Sequence, residues 1–128
     1  MNRVVLDASA LLAILNQEPG AESLTPELLS GAVISTVNLA EVHGKLVGRG
    51  LRPDDAWEAA LAPIREAVRF SADQARLVGD LVAQTHPLGM SLGDRACLAL
   101  GLALKAPIYT AYKSWKKWKL GAHIHIIR

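Results

Sequence analysis

Short apolar runs alternate with helix-forming segments along this chain. Strands are predicted where the apolar or β-branched runs occur, at residues 4–6, 32–35, 68–70, 107–110 and 124–127. Capping residues, Gly and Pro mark the starts and ends of predicted helices at residues 8–16, 21–29, 38–47, 53–63, 71–84, 91–105 and 114–120. Strands that alternate with helices predict βαβ units with right-handed crossovers, and therefore an α/β fold with a mainly parallel sheet.

The helix predicted at residues 91–105 carries the longest apolar run, at residues 96–104. A helix that is apolar on every side is buried all round, either in the core or at a subunit contact. The run is bounded by Arg95 and Lys105 and is too short to cross a bilayer. We therefore expect this segment to lie inside the protein and not in a membrane.

Composition places the chain among compact globular proteins. Its 128 residues are 51% apolar and 20% charged, which predicts one domain spanning residues 1–128. The net charge of +2 is too small to argue for nucleic acid by itself. A single cysteine, Cys97, excludes an internal disulfide framework, and Asp7 interrupts the apolar region that a signal peptide would need. A cytoplasmic location is predicted.

Three carboxylates are predicted to share one edge of the sheet. Asp7 ends the first strand, Glu41 lies in the helix after the second strand, and Asp94 lies in the first turn of the 91–105 helix. Strand ends and the helix starts that follow them meet at the same edge of a parallel sheet. Crowded carboxylates repel one another unless a cation neutralises them, and an all-oxygen set favours Mg²⁺ or Mn²⁺.

Helix capping offers an alternative interpretation of each acid. Asn38-x-x-Glu41 and Ser91-x-x-Asp94 both match the capping box, and Asp7 alone fits an N-cap. For any one of these residues capping is the simpler explanation. Only the conjunction of the three at one edge favours a metal site.

The residues around these acids resemble a known family. The motifs that match in order and spacing are Val4-Val5-Leu6-Asp7-Ala8-Ser9-Ala10, Asn38-Leu39-Ala40-Glu41-Val42 and Ser91-Leu92-Gly93-Asp94-Arg95-Ala96. They resemble the motifs of the PIN domain, and among PIN domains the VapC-type toxins of bacterial toxin–antitoxin pairs. The resemblance implies a three-layer α/β/α sandwich and an endoribonuclease that uses Mg²⁺ or Mn²⁺ to cleave RNA. It also implies a homodimer and a small VapB-like antitoxin in the active-site groove.

Carried over by position, Asp7, Glu41 and Asp94 are the metal-binding acids of the family, and Thr110 matches a hydroxyl at the end of the fourth strand. The chain departs from the family at Tyr112, where relatives usually carry a fourth acid. A phenol is neutral at pH 7 and a poor ligand for a hard cation. We therefore expect a second ion to be held weakly and turnover to be reduced or absent. A catalytically inactive PIN domain that binds an antitoxin or RNA is the alternative.

Further residues are candidates for substrate positioning beside the acids: Thr110, Ser9, Arg95, Lys113 and, as a phosphate contact, Lys45. The segment of residues 113–119 mixes lysines with Trp115 and Trp118, as nucleic-acid surfaces do. An amphipathic helix with inward tryptophans explains the same pattern, and we favour packing for the tryptophans while both interpretations stay open for the lysines.

The sequence disfavours two further interpretations, a histidine metal site and a receiver domain. His123 and His125 share one face of the last strand, but the sequence offers no third metal ligand near them. A phosphoacceptor receiver domain is disfavoured, because Ala8 follows Asp7 where a second acid is needed. Phe70-Ser71 also stands where the phosphoacceptor Asp belongs.

Overall fold

A computed structural model describes residues 2–128. Five short strands form one parallel sheet in the order β3-β2-β1-β4-β5. The strands are β1 (Val4–Leu6), β2 (Ala32–Ser35), β3 (Glu66–Val68), β4 (Ile108–Thr110) and β5 (Ile124–Ile126). The parallel sheet predicted from the alternation of strands and helices is therefore confirmed.

Helices connect the strands. They are α1 (Ala8–Leu15), α2 (Pro26–Leu29), α3 (Thr36–Gly48), α4 (Pro53–Leu61), α5 (Ala72–Asp80), α6 (Val82–Thr85) and α7 (Leu92–Leu104). Shorter 3₁₀ turns occur at Ala21–Ser23, His86–Leu88 and Lys113–Lys117. None of the helices within residues 2–128 is long and apolar enough to span a bilayer.

Several predicted boundaries were wrong, and local hydrogen bonds explain two of them. The helix predicted at residues 21–29 is split, because the Thr25 hydroxyl accepts from the Leu28 amide and Pro26 begins a new helix. Helix α3 begins at Thr36 and not at residue 38, because the side chain of Ser35, the last residue of β2, accepts from the Val37 amide.

Other differences lie in the second half of the chain. The helix predicted at residues 71–84 is interrupted at Leu81, which separates α5 from α6. The third strand lies at residues 66–68 instead of 68–70, because the amide of Phe70 donates to the Thr36 hydroxyl outside the sheet. The basic segment predicted as a helix at residues 114–120 forms only the 3₁₀ turn Lys113–Lys117.

Alternate residues of the central strands pack against different helical layers. Val5, Val33 and Ile108 face the cluster that contains Cys97, Leu98 and Leu100 of α7. Val4, Leu6 and Ala32 face Ala10 and Ala13 of α1 on the opposite side. The sheet is thus covered on both faces, and the three-layer α/β/α sandwich is confirmed.

Helix α7 follows the prediction of all-round burial only in part. Its residues from Ala96 to Gly101 are buried, whereas Ala103 in the last turn is exposed. Gly101 lies so close to β4 that a Cβ there would overlap the Ile108 side chain. The close approach of helix and strand explains why this part of the helix is apolar on every side.

The strand order creates a switch point between β1 and β4. The chain runs outward from β1 through β2 to β3, and then returns to the other side of β1 to form β4 and β5. Open α/β sheets bind ligands at the carboxyl ends of the strands beside such a point. The order also excludes the receiver domain, whose strands run 2-1-3-4-5.

Candidate functional site

A pocket of about 270 Å³ opens at the carboxyl ends of the strands, beside the switch point. The polar residues that line it include Asp7, Asn38, Glu41, Lys45, Asp94 and Tyr112. The three predicted acids therefore share one pocket, although they come from three separate stretches of the sequence.

Asp7 is the most deeply buried acid of the pocket, with 2% of its surface exposed. It follows β1 directly and caps α1, since its Oδ1 accepts from the Ala10 amide (2.8 Å) and from Ser9 Oγ (2.7 Å). Its Oδ2 accepts from Thr110 Oγ1 at the end of β4 (2.6 Å). Three donors thus fix the carboxylate at the point where β1 and β4 end.

Ser9 and Thr110, which the sequence suggested for substrate positioning, are buried next to Asp7 and do not line the pocket. Both hydroxyls also accept from the chain that follows β4: Ser9 Oγ from the Ala111 amide (2.9 Å) and Thr110 Oγ1 from the Tyr112 amide (3.1 Å). Each hydroxyl can accept one bond and donate another, so both are satisfied while buried. The two residues act on the pocket through the position they give to Asp7.

Burial raises the pKa of Asp7 to about 6, from an ordinary value of 3.8. The hydrogen bonds from Thr110, Ser9 and Ala10 favour the charged form, but they only partly offset the loss of solvation, and the negative charge of Asp94 raises the pKa further. At neutral pH the protein thus holds a carboxylate in a place where its charge is costly. A cation in the pocket would relieve that cost.

Glu41 reaches the pocket from the second turn of α3, where Asn38 holds it. Asn38 Nδ2 donates to Glu41 Oε1 (2.9 Å) and to the carbonyl of Gly93 at the start of α7 (3.0 Å). Both partners are acceptors, so the orientation of the amide is fixed, and Asn38 Oδ1 is left buried without a partner. Asn38 is not the capping residue that the sequence predicted. It joins α3 to α7 beneath the pocket.

Gly93 leaves room for the Glu41 carboxylate where these two helices meet. A Cβ at this position would overlap the carboxylate of Glu41. Sequence reasoning missed the roles of Asn38 and Gly93, because their contact joins residues that are 55 positions apart. The available signal was a glycine in the first turn of a helix, where glycine is unfavourable without a packing reason.

Asp94 confirms the predicted capping box and also lines the pocket. Its Oδ2 accepts from the Ser91 amide (3.0 Å), and its own amide donates to Ser91 Oγ (3.1 Å). Capping and membership of the pocket are therefore compatible for this residue, as they are for Asp7.

The acids are near one another but do not converge on one point. Among residues 2–128, no group of three or more His, Cys, Asp or Glu side chains has a geometry that could hold a metal ion directly. Glu41 is held by Asn38, and Asp94 by Ser91. The donor chemistry nevertheless fits Mg²⁺ or Mn²⁺, since the pocket offers carboxylate oxygens and Mg²⁺ keeps several of its waters in proteins.

Tyr112 stands at the rim of the pocket, 44% exposed. Partial burial raises the pKa of its phenol, and the negative charges of Asp7, Asp94 and Glu41 raise it further. The side chain is therefore neutral at physiological pH. It supplies an aromatic surface at the position where the resemblance places a fourth acid in relatives.

The structure places only one of the three basic candidates in the lining of the pocket. Lys45 lines the pocket, whereas Arg95 does not: its Nε and Nη2 both donate to the Met90 carbonyl (3.1 and 2.9 Å). Lys113 lines a separate shallow groove with Glu18. Arg95 thus fixes the loop before α7, and neither Arg95 nor Lys113 lines the pocket that holds the acids. Their role in substrate positioning stays a prediction.

Comparison with known proteins agrees with this architecture. A family profile described as PIN domain matches residues 4–116. Among curated proteins, no sequence matches the chain significantly.

Three solved structures are similar to the chain over nearly its whole length. The DNA-bound VapBC of Salmonella typhimurium has a TM-score of 0.79 at 15% identity and covers 100% of both chains. VapBC2 of Rickettsia felis, bound to a promoter DNA fragment, has a TM-score of 0.74 at 19% identity and covers 96% of this chain and 97% of that one. VapBC-5 of Mycobacterium tuberculosis, from a toxin–antitoxin family, has a TM-score of 0.60 at 22% identity, with coverage of 100% and 99%. At these identities the likeness shows a shared fold.

Proposed function

The chain belongs to the PIN domain family, and from that premise we propose that it is a VapC-type endoribonuclease that uses Mg²⁺ or Mn²⁺ to hydrolyse RNA phosphodiester bonds. The observation that carries the proposal is the pocket at the switch point of the sheet, which gathers Asp7, Glu41 and Asp94. The raised pKa of Asp7 supports it, because a buried carboxylate that is costly at neutral pH is suited to a cation.

In this proposal Asp7 and Asp94 hold the cation, and Glu41 either joins them or orients the attacking water. A bound divalent ion supplies a Lewis acid that lowers the pKa of water and screens the charge of the phosphate. Ser9, Ala10 and Thr110 keep the Asp7 carboxylate in one orientation through their hydrogen bonds. Lys45, on the same pocket, is suited to a phosphate oxygen.

Hydrolysis by this route places the oxygen of water on phosphorus and breaks the bond to the 3′ oxygen. That oxygen takes up a proton, so the products carry a 5′-phosphate and a 3′-hydroxyl. Because Tyr112 brings no charge to the pocket, a second cation is held weakly and turnover is lower than a fourth acid would allow.

The proposed partners follow from the same family. Several solved structures similar to the chain are VapBC structures, and two of these are described as bound to DNA. Their likeness supports a small VapB-like antitoxin as partner, and we further propose a homodimer as the state of the free protein.

A second candidate function is favoured by Tyr112 and by the acids that do not converge. In this alternative the chain is an inactive PIN domain that binds RNA or an antitoxin without cleaving. Both functions use the same pocket, so only turnover distinguishes them.

Cleavage of an unstructured RNA in Mn²⁺ tests the proposal, with the wild-type chain, Tyr112→Asp and Asp7→Asn compared. We expect slow cleavage by the wild type, faster cleavage by Tyr112→Asp, and none by Asp7→Asn or with a chelator present. Equal rates for the wild type and Tyr112→Asp would show that the fourth position is irrelevant. Absence of cleavage by both, with RNA still bound, would establish the alternative.

A further inference from the structure

Three aromatic side chains form a row along the rim of the pocket. The ring centroids of Tyr112 and Trp115 are 6.4 Å apart, and those of Trp115 and Trp118 are 4.6 Å apart in a stacked arrangement tilted by 29°. The row comes from one short segment, residues 112–118, because the 3₁₀ turn Lys113–Lys117 brings every third residue to the same side. All three rings line the pocket that holds the acids.

The three rings differ in burial. Trp115 is 2% exposed and packs into the core, as the sequence predicted for the tryptophans. Trp118 is only half-buried, and Tyr112 is exposed. Trp115 thus supports two partly open rings, one on either side of it. Trp118 packs against the core cluster and also leaves part of its ring open beside the acidic pocket.

The rings also border a second groove, of about 440 Å³. Trp115 and Trp118 line both the pocket and this groove, so the two adjoin at the aromatic row. On the groove side the charged lining residues are Lys116 and Lys119, both exposed. Within residues 2–128, no carboxylate forms a salt bridge with either lysine.

We propose that Trp118 is a stacking platform for an unpaired base next to the cleaved phosphate, with Lys116 and Lys119 contacting the adjoining backbone. The inference rests on the proposed function, since it places an RNA strand in the pocket. It requires the strand to be unpaired at this position, because a base that stacks on the protein must be free of its own duplex. Tyr112 offers a second aromatic surface at the mouth of the pocket.

The charge on the groove side favours an anionic strand as the occupant, because Lys116 and Lys119 are exposed there. An aromatic ring flanked by unpaired lysines matches the surface that binds single strands, where base stacking contributes about 1–3 kcal/mol per base. Lysines supply the attraction to phosphates without reading sequence. The departure at Tyr112 is then an exchange: the rim loses one carboxylate and gains a surface on which a base can stack.

The test measures binding of a short, unstructured oligoribonucleotide by fluorescence anisotropy, with a chelator present to prevent cleavage. A series of the same strand carries one abasic ribose at each position in turn. For the wild type, one position should show a loss of affinity of roughly 5- to 150-fold. Trp118→Leu keeps an apolar side chain against the core and should show the same loss with the intact strand. This variant should then be insensitive to the abasic site.

Matched variants separate stacking from folding. Trp118→Phe retains a flat ring and should restore part of the affinity and of the abasic effect. Trp57→Leu removes an exposed tryptophan from α4, outside the pocket, and should bind as the wild type does. Lys116→Gln and Lys119→Gln should each reduce the salt dependence of log affinity by about 0.7.

Three results would overturn the inference. The first is a Trp118→Leu variant that keeps the full abasic penalty, which would make the ring merely structural. The second is a duplex of the same sequence that binds as tightly as the single strand. The third is unchanged RNA binding by Trp118→Leu together with loss of self-association, which would make the surface an interface between copies.

The same experiment distinguishes this inference from the nuclease proposal. Cleavage in Mn²⁺ without any abasic effect on binding would overturn the stacking platform alone. A clear abasic effect, with no cleavage by the wild type or by Tyr112→Asp, would overturn the nuclease and leave the platform as the RNA site of an inactive domain.

Discussion

Replacing Asp7 with asparagine should stabilise the protein at neutral pH while abolishing cleavage. The carboxylate is 2% exposed, and its pKa in the folded protein is about 6 instead of 3.8. A raised pKa means that the folded state binds the proton more tightly than the unfolded state does. The stability that this group contributes is therefore complete below about pH 4 and is lost as the pH rises through about 6.

The size of the effect follows from the shift. Each pKa unit corresponds to about 1.36 kcal/mol, so a shift of roughly two units costs the folded protein about 3 kcal/mol once Asp7 is ionised. For a protein of 128 residues this is roughly 10 °C in melting temperature.

Asparagine can take the place of Asp7 if only the Thr110 hydroxyl proton changes direction. Its oxygen can accept from the Ala10 amide and Ser9 Oγ, as Asp7 Oδ1 does. Its amide group can donate to Thr110 Oγ1, whose own proton can turn to Ser9 Oγ, 3.2 Å away. The substitution thus removes the charge and keeps the hydrogen bonds.

Urea unfolding of the wild type and of Asp7→Asn from pH 4 to pH 8 measures the prediction. The free energy of unfolding of the variant, minus that of the wild type, should rise by up to about 3 kcal/mol between pH 4 and pH 6 and then level off. Glu58→Gln removes an exposed carboxylate from α4 and should give a flat difference. A flat difference for Asp7→Asn as well would refute the reasoning, since it would show that the buried charge costs nothing.

Divalent ions extend the same experiment. Mn²⁺ at 100 times its dissociation constant adds about 2.7 kcal/mol to a protein that binds it only when folded. The gain should appear in the wild type above about pH 6, where Asp7 is charged, and should be absent from Asp7→Asn.

Three glycines and the cysteine provide further predictions. Gly93→Ala should slow RNA cleavage at least tenfold, because its Cβ displaces the Glu41 carboxylate. Gly79→Ala lies in an open part of α5; it should raise the free energy of unfolding by about 0.5–1 kcal/mol and leave cleavage unchanged. Gly101→Ala should lower the free energy of unfolding by about 1–3 kcal/mol, measured in urea, because its Cβ overlaps the Ile108 side chain. Burial raises the pKa of the Cys97 thiol well above its ordinary value. An aromatic disulfide reagent should therefore modify Cys97 only as fast as the protein unfolds. Rapid labelling of the native protein would contradict this burial.

The sheet and Asp7 were predictable because both are local signals. An apolar run that ends in a carboxylate and turns at once into a helix places that carboxylate at a strand end, whatever the rest of the chain does. The start of α3 was less predictable, because Ser35 serves both as the last residue of a strand and as the cap of the helix. Asn38 resembled a helix cap only because Glu41 follows it three positions later.

The contacts that shape the pocket could not be predicted from local pattern. The bond from Asn38 to the Gly93 carbonyl depends on how α3 and α7 pack, and the pairing of Asp7 with Thr110 depends on β1 and β4 being neighbours. Strands β1 and β4 are far apart in the sequence, so their parallel pairing depends on the topology of the whole sheet. The sequence indicated that acids would meet at one edge, but not which polar groups would hold them there.

Capping and metal binding were weighed as alternatives from the sequence, yet the structure uses helix starts for both. Asp7 and Asp94 each accept from amides at the start of a helix, where the helix dipole favours negative charge. These amides offset part of the repulsion between the acids, so the pocket can form before a cation binds. The same bonds hold each carboxylate toward its own helix, which explains why the acids share a pocket without converging. A cation that binds Asp94 must compete with the hydrogen bond from the Ser91 amide. Breaking that bond weakens cation binding, whereas neutralising the buried charge of Asp7 strengthens it.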